Sequence, residues 1–225
     1  MKVEGKVCGM VNWLKGWTAS GRCPAQPYNH LTFQPFDPTT YALAVSDAQN
    51  IVYFDLETKK SFEEVGGRNG IRRLGMSLGV TYSTASGEYK IYGENDAVPL
   101  SEELLRADLV VGYNVIGFDF VVLQGENEFF DFEQVCSLDM MVDVADKVEF
   151  RPPLDAIAHG SLGIEKTAEG LQAVKWYREG KLMEIAEYCC YDVKITKLVH
   201  EYGRAKKQVQ FKNRLGVDMS VPVEW

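Results

Sequence analysis

Histidine is scarce in this chain, and His30, His159 and His200 lie too far apart to share a zinc ion. Cysteine occurs five times (Cys8, Cys23, Cys136, Cys189 and Cys190) and never as C-x-x-C. An odd number with two adjacent members does not make a disulfide framework; reduced thiols in a cytoplasmic protein are expected instead. No apolar run approaches the roughly 20 residues that a membrane helix needs. The opening "MKVEGKVCGMVNWLKGW" has lysines and a short apolar patch, but Lys15 interrupts it and no small-residue cleavage site follows closely. A signal peptide is therefore not expected. Internal repeats and low-complexity tracts are missing. The glycines of "EEVGGRNG" suit a flexible lip and lack the P-loop pattern. A basic excess is also missing, with 24 Lys and Arg against 32 Asp and Glu and a formal net charge of −8. That argues against a broad electrostatic grip on duplex DNA. A cleft that holds a few nucleotides through metal ions needs few lysines, so nucleic acid is not excluded.

What is present fits an ordinary globular protein. The 225 residues are 46% apolar and 25% charged, enough for one α/β domain with an extension and a core that needs no disulfide. Residues 1–48 read as an irregular N-terminal extension: "GRCPAQPYNHLTFQPFDPTT" holds four prolines and little periodicity. Trp13, Trp17, Tyr28, Phe33 and Phe36 are too many aromatics for a free tail, so this segment is expected to pack on the domain or on a partner. From residue 49 to 212 the pattern is that of one α/β domain, followed by a C-terminal tail over 213–225.

Within that domain "IVYFDLET", "RRLGMSLGVTYST" and "EYKIYGE" read as strands, the last two joined by a hairpin turn at Ser86-Gly87. "SEELLRAD" reads as a short helix with Ser101 as N-cap. "DLVVGYN" is a strand, "FDFVVLQGE" a helix, and "QVCSLDMMVDVADKV" a strand end passing into a helix, with Asp139 suited to cap it. "PLDAIAHGSLG" is a helix begun by proline and stopped by glycine. "KLMEIAEYCCYDVKITKLVHEYG" is the longest helix, with Gly203 as its stop. Three early strands, a helix, a further strand and then helices predict a mixed sheet covered by helices on both faces.

The first strand poses a chemical question. Side chains alternate along a strand, so Val52, Phe54 and Leu56 share one face while Asp55 and Glu57 share the other. Two like charges side by side repel, and burying them is costly unless something pairs them. Mg²⁺ or Mn²⁺, which take oxygen ligands, is the natural partner; a solvated strand end neutralised by Lys59 and Lys60 is the plain alternative. Further along, "GYNVIGFDF" places Asn114, Phe118 and Asp119 where a strand ends and a helix begins. An aspartate there also suits the helix dipole on its own. "EYCCYDVKI" puts Tyr188 and Asp192 four apart on one face of the longest helix.

Taken in order, D-x-E on a strand, N-x-x-x-F-D at a strand–helix junction and Y-x-x-x-D on a late helix resemble the DnaQ-like (DEDD) 3′–5′ exonuclease superfamily, in its tyrosine branch. The resemblance runs from about Ile51 to about Gly203 and extends to proofreading domains of family B DNA polymerases and helicase-linked exonucleases. It implies a ribonuclease H-like α/β fold with a mixed central sheet between helices. It also implies a metal-dependent hydrolase that releases 5′-mononucleotides from 3′ ends. Asp55, Glu57, Asp119 and Asp192 would hold two Mg²⁺ or Mn²⁺ ions, Asp55 bridging them. Glu57 and Asp192 would complete the site of the attacking water, Asp119 would support the second ion, and Tyr188 would orient the water. Two such ions about 3.5–4 Å apart clamp a scissile phosphate.

Leu56, Thr58, Asn114 and Phe118 are the candidate substrate-binding residues, Leu56 as a wedge under the terminal base; core packing is the competing role for Leu56 and Phe118. Lys59, Lys60, Arg68, Arg72 and Arg73, and a second group of Lys166, Lys175 and Arg178, are candidate phosphate contacts or solvated charges. The expected partner is the 3′ end of single-stranded or frayed DNA, with a helicase or polymerase as a protein partner. An exoribonuclease and a non-catalytic nucleic-acid-binding module are the alternatives.

Overall fold

A computed structural model describes residues 49–164 and 171–225. The N-terminal extension and Lys166 therefore lie outside the described residues. Strand β1 (Ile51–Thr58) occupies the centre of a five-stranded sheet. It pairs antiparallel with β2 (Met76–Ser83), which pairs antiparallel with β3 (Glu88–Gly93) through a turn where Gly87 takes φ +66°. On its other side β1 runs parallel to β4 (Leu109–Gly112), and β4 parallel to β5 (Ser137–Asp139). The sheet is thus mixed, as the pattern of elements predicts.

Helices cover both faces. Alternation along β1 sends Val52, Phe54 and Leu56 to a core shared with α1 (Ala97–Arg106) and α2 (Phe120–Glu126). Ile51 and Tyr53 point to the opposite core, shared with α4 (Leu154–Leu162) and α6 (Leu182–Lys206). Ile185, Cys189 and Val193, spaced four apart, bury the inner stripe of α6. Short α3 (Met140–Val148) follows β5 directly, and α5 (Leu171–Arg178) precedes α6. Two 3-10 helices, Glu63–Val65 of one turn and Arg68–Arg73 of two, join β1 to β2.

Where β2 passes Glu57 the register jumps: Glu57 faces Leu78 while Thr58 faces Met76, so Ser77 is skipped. This bulge turns Met76 into the α1/α2 core although Leu78 and Val80 pack on the α6 side.

Three local expectations need correction. The helix expected from Ser101 begins at Ala97, with Pro99 tolerated in its first turn; Ser101 is buried inside it and its hydroxyl donates to the Ala97 carbonyl at 2.7 Å. Gly203 does not stop α6, which runs on to Lys206 and ends on Lys207 at φ +56°. Glycine is required at 203 for space, since a Cβ there would sit 2.6 Å from the Trp225 ring. Residues 213–225, expected as a tail, carry β7 (Asp218–Pro222), which forms a hairpin with β6 (Gln208–Lys212). Val209, Phe211, Val221 and Val223 bury its inner side in the α4/α6 core. No helix among the described residues is long and apolar enough to cross a membrane.

Candidate metal centre

The site forms at the C-terminal end of β1, where three segments distant in sequence meet. Asp55 and Glu57 leave the sheet on the α6 side, half-buried, and α6 lays Asp192 across them. One carboxylate oxygen from each of the three lies within 4.8 Å of the others. Asp192 can reach this position because it is one residue from Val193, which is inside the core: the apolar stripe of α6 fixes the rotation and brings Asp192 to its flank.

Asp119 arrives from the other side. After β4, Asn114 adopts a left-handed φ of 69°, and the single π-turn Val115–Asp119 follows before α2 begins. π-turns of this kind recur at functional sites. Asp119 is only 2% exposed, and its Oδ1 accepts the Leu56 backbone N–H at 3.2 Å, which ties the turn to β1 between Asp55 and Glu57. The turn has a second anchor. Asp139, the N-cap of α3, accepts N–H groups from Asn114 (2.8 Å), Ile116 (3.0 Å), Met141 (3.1 Å) and Val142 (3.3 Å). Its cap role was legible in the sequence; its grip on the Asn114 turn was not, because that depends on β4 and β5 being parallel neighbours.

Without a counter-ion the cluster is electrostatically costly. Burial, then Asp192, pushes the Asp55 carboxyl well up, against a lowering hydrogen bond from Cys189. Burial, then Asp55, Asp192 and Asp119, does the same to Glu57. Asp119 is raised by burial and by Asp55. Tyr188 is hydrogen-bonded to Asp192 and held protonated by burial and by the surrounding acids. Cys189, one of the cysteines expected as reduced thiols, donates its thiol to the Asp55 carbonyl and Oδ2 at 3.4 and 3.5 Å; burial and Asp55 keep it a thiol. Oxygen donors in this density fit a hard divalent cation, and Lys60 is the one lysine among the described residues that lines the same cleft. Each charge that repels its neighbours would instead be shared with the ion.

The acids line one end of a cleft of about 340 Å³. Leu56 forms part of its floor but is 3% exposed and packs in the α1/α2 core. Phe118 also lines it, half-buried, with its ring 5.9 Å from that of Phe62. Asn114 lines the same cleft, and its buried Oδ1 has no hydrogen-bond partner among the described residues. The Thr58 side chain borders it too, but its hydroxyl is committed to the Lys60 carbonyl at 2.9 Å. The facing wall comes from α5, as Leu171, 70% exposed, and Val174. The sequence offered only Lys175 and Arg178 of α5, as candidate phosphate contacts; that Leu171 and Val174 wall the cleft depends on tertiary contacts: Tyr177 donates to Glu94 at 2.6 Å, and Arg178 pairs with Glu64 at 2.6 Å. Of the candidate phosphate contacts, Lys59 is paired with Glu94 at 3.2 Å and Arg73 donates to the Val65 carbonyl at 2.5 Å. The Arg68 guanidinium lies 5.8 Å over the Phe62 ring.

A mixed sheet of order β3-β2-β1-β4-β5 between two layers of helices, with β1 at its centre, is a ribonuclease H-like fold. Among solved structures the chain is similar to the family B DNA polymerase of the hyperthermophilic archaeon Pyrobaculum calidifontis, with a TM-score of 0.53 and 16% identity. The match covers 70% of this chain and 25% of the polymerase. No protein-family model and no curated protein matches the sequence.

Proposed function

We propose that the chain is a divalent-metal-dependent nuclease that hydrolyses the terminal phosphodiester at 3′ ends of nucleic acid and releases 5′-mononucleotides. The observation that carries this reading is the meeting of Asp55, Glu57 and Asp192 within 4.8 Å, at the mouth of a cleft large enough for a nucleotide end. A binding module has no use for carboxylates that repel both one another and a phosphate. Likeness to part of a DNA polymerase supports a nucleic-acid substrate.

In this reading Asp55, Glu57 and Asp192 hold the cation, and Asp119, on the turn anchored to β1, adds negative charge beside them. The bound metal would supply a nucleophilic water at neutral pH and charge neutralisation at the scissile phosphate. Asp119 also fixes the strand end through Leu56 N–H, so the acids keep their spacing. Tyr188, neutral and bonded to Asp192, offers an orienting hydroxyl beside the acids without supplying a proton. Phe118, with the small exposed part of Leu56, presents the apolar surface against which an unpaired terminal base would rest, and Asn114 lines the same cleft.

The test uses 5′-labelled single-stranded DNA and RNA, and the corresponding duplexes, with Mg²⁺, Mn²⁺ or EDTA. A ladder shortening from the 3′ end with metal, absent with EDTA and lost in Asp192→Ala, is the expected result. Intact strands under every metal condition would overturn the proposal.

A further inference from the structure

The π-turn Val115–Asp119 has two sides, and only one faces the carboxylates. Beyond it lies a second cavity of about 370 Å³. Its floor is apolar: Phe120 and Phe132 stack 5.3 Å apart, and both are nearly buried. Its rim carries Arg72, Ile116, Glu133 and Ser137. Ile116 is 50% exposed and belongs to the same turn whose Phe118 and Asp119 line the first cleft. Arg72 is exposed and forms no ion pair among the described residues, although Lys59, Arg68 and Arg73 nearby each have a partner. The backbone of Arg72 is locked by Gly125 of α2, where a Cβ would come within 1.9 Å of the Arg72 carbonyl, so this cation projects from a fixed base.

An exposed cation, a half-exposed apolar crest and an apolar floor are what a single-stranded nucleotide needs: charge for its phosphate and a surface for its base. The two cavities share no lining residue but take theirs from the same turn, Phe118 and Asp119 on one side and Ile116 on the other, so a strand with its 3′ end at the carboxylates would reach the second by crossing Ile116. We propose that this second cavity is a subsite for an upstream nucleotide of the same strand, its phosphate held by Arg72 and its base laid on Ile116 and the floor beneath. Glu133 repels phosphate and so directs it to the Arg72 side; with Ser137 it offers hydrogen-bond acceptors to a base edge. The subsite rests on the nucleic-acid reading of the site but not on catalysis.

The experiment therefore reads binding, in Ca²⁺, for a fluorescent oligothymidylate of about six residues and for a dinucleotide that fills only the cleft. Arg72→Ala is expected to weaken the longer probe about tenfold and to reduce its salt slope by about 0.7, the value for one phosphate contact on a single strand. Ile116→Asp should weaken it similarly, and both variants should bind the dinucleotide within about twofold of wild type. Both side chains are exposed, and circular dichroism verifies folding. Equal losses on the two probes would mean that these residues only shape the cleft; no loss on either would hand the cavity to some other ligand. Each result overturns the subsite, as would a wild type that binds both lengths equally. A wild type that binds the longer probe with the expected losses but never cleaves it in Mn²⁺ would sink the nuclease reading and leave the subsite standing.

Discussion

Asp55 sets function against stability in a single side chain. It is half-buried beside Asp192, and its carboxyl is pushed well above the ordinary range. A group whose folded pKa is raised stabilises the fold below its unfolded value and loses that contribution as pH rises through the folded one. At neutral pH and without metal the charged site is therefore a liability. Asp55→Asn should abolish 3′-end cleavage and raise the melting temperature in EDTA at pH 8 by about 2–4 °C, the equivalent of roughly 1 kcal/mol in a chain of this size. Differential scanning fluorimetry checks this. A lower melting temperature would mean that the acids are not in mutual repulsion.

His200 works with the opposite sign. Its Nδ1 is 2.9 Å from the Tyr53 hydroxyl, its ring stacks on Trp225, and burial holds its pKa down at about 4. The unfolded chain takes up a proton below about 6.5 while the folded one resists, so stability falls as pH drops from 6.5 toward 4. Urea denaturation of wild type should show this fall over that window, and His200→Gln should flatten it.

At the scale of elements, two joints carry the architecture. The first is Asp139, which fastens the β4 turn to the start of α3 through four N–H groups. Asp139→Ala removes a helix cap and frees the turn that carries Asp119. It should cost about 2 kcal/mol in denaturant unfolding and lower turnover more than it weakens metal binding by Asp55, Glu57 and Asp192. The second is the contact of α6 with Trp225 at Gly203. Gly203→Ala drives a methyl into the ring and should destabilise the fold by about 1–3 kcal/mol, despite alanine's better helix propensity. A stabilised variant would show that the C-terminal segment yields freely.

At the scale of the whole molecule, the acids and the cation are linked through folding. Ion binding to the folded chain alone raises its melting temperature by mass action. The rise should be larger at pH 8 than at pH 5, because lower pH favours the protonated form of the raised Asp55 and Glu57 carboxyls and a metal must displace those protons. Melting curves with Mn²⁺ and with EDTA at both pH values measure it; equal shifts would argue against a carboxylate site. Much of this molecule was legible in advance. β1, β4, the β5–α3 junction and α6 follow from apolar periodicity, and of the four acids of the motifs Asp55, Glu57 and Asp192 come within 4.8 Å of one another. Two of the misreadings share a cause. Gly203 and residues 213–225 carry local signals of stop and tail, yet each is overridden by packing against a distant partner, Trp225 and the α4/α6 core, whereas Ser101 is a cap-like residue buried inside a helix that starts four residues earlier.

The sequence alone determined which groups alternate onto one face of β1 and which side of α6 Asp192 occupies, because both follow from the fixed periods of strand and helix. Only the tertiary structure decided that Asp139 braces the Asn114 turn, that Cys189 contacts Asp55, and that α5 walls the cleft. Those contacts join residues between 23 and 134 positions apart, and no local period reaches across such a gap.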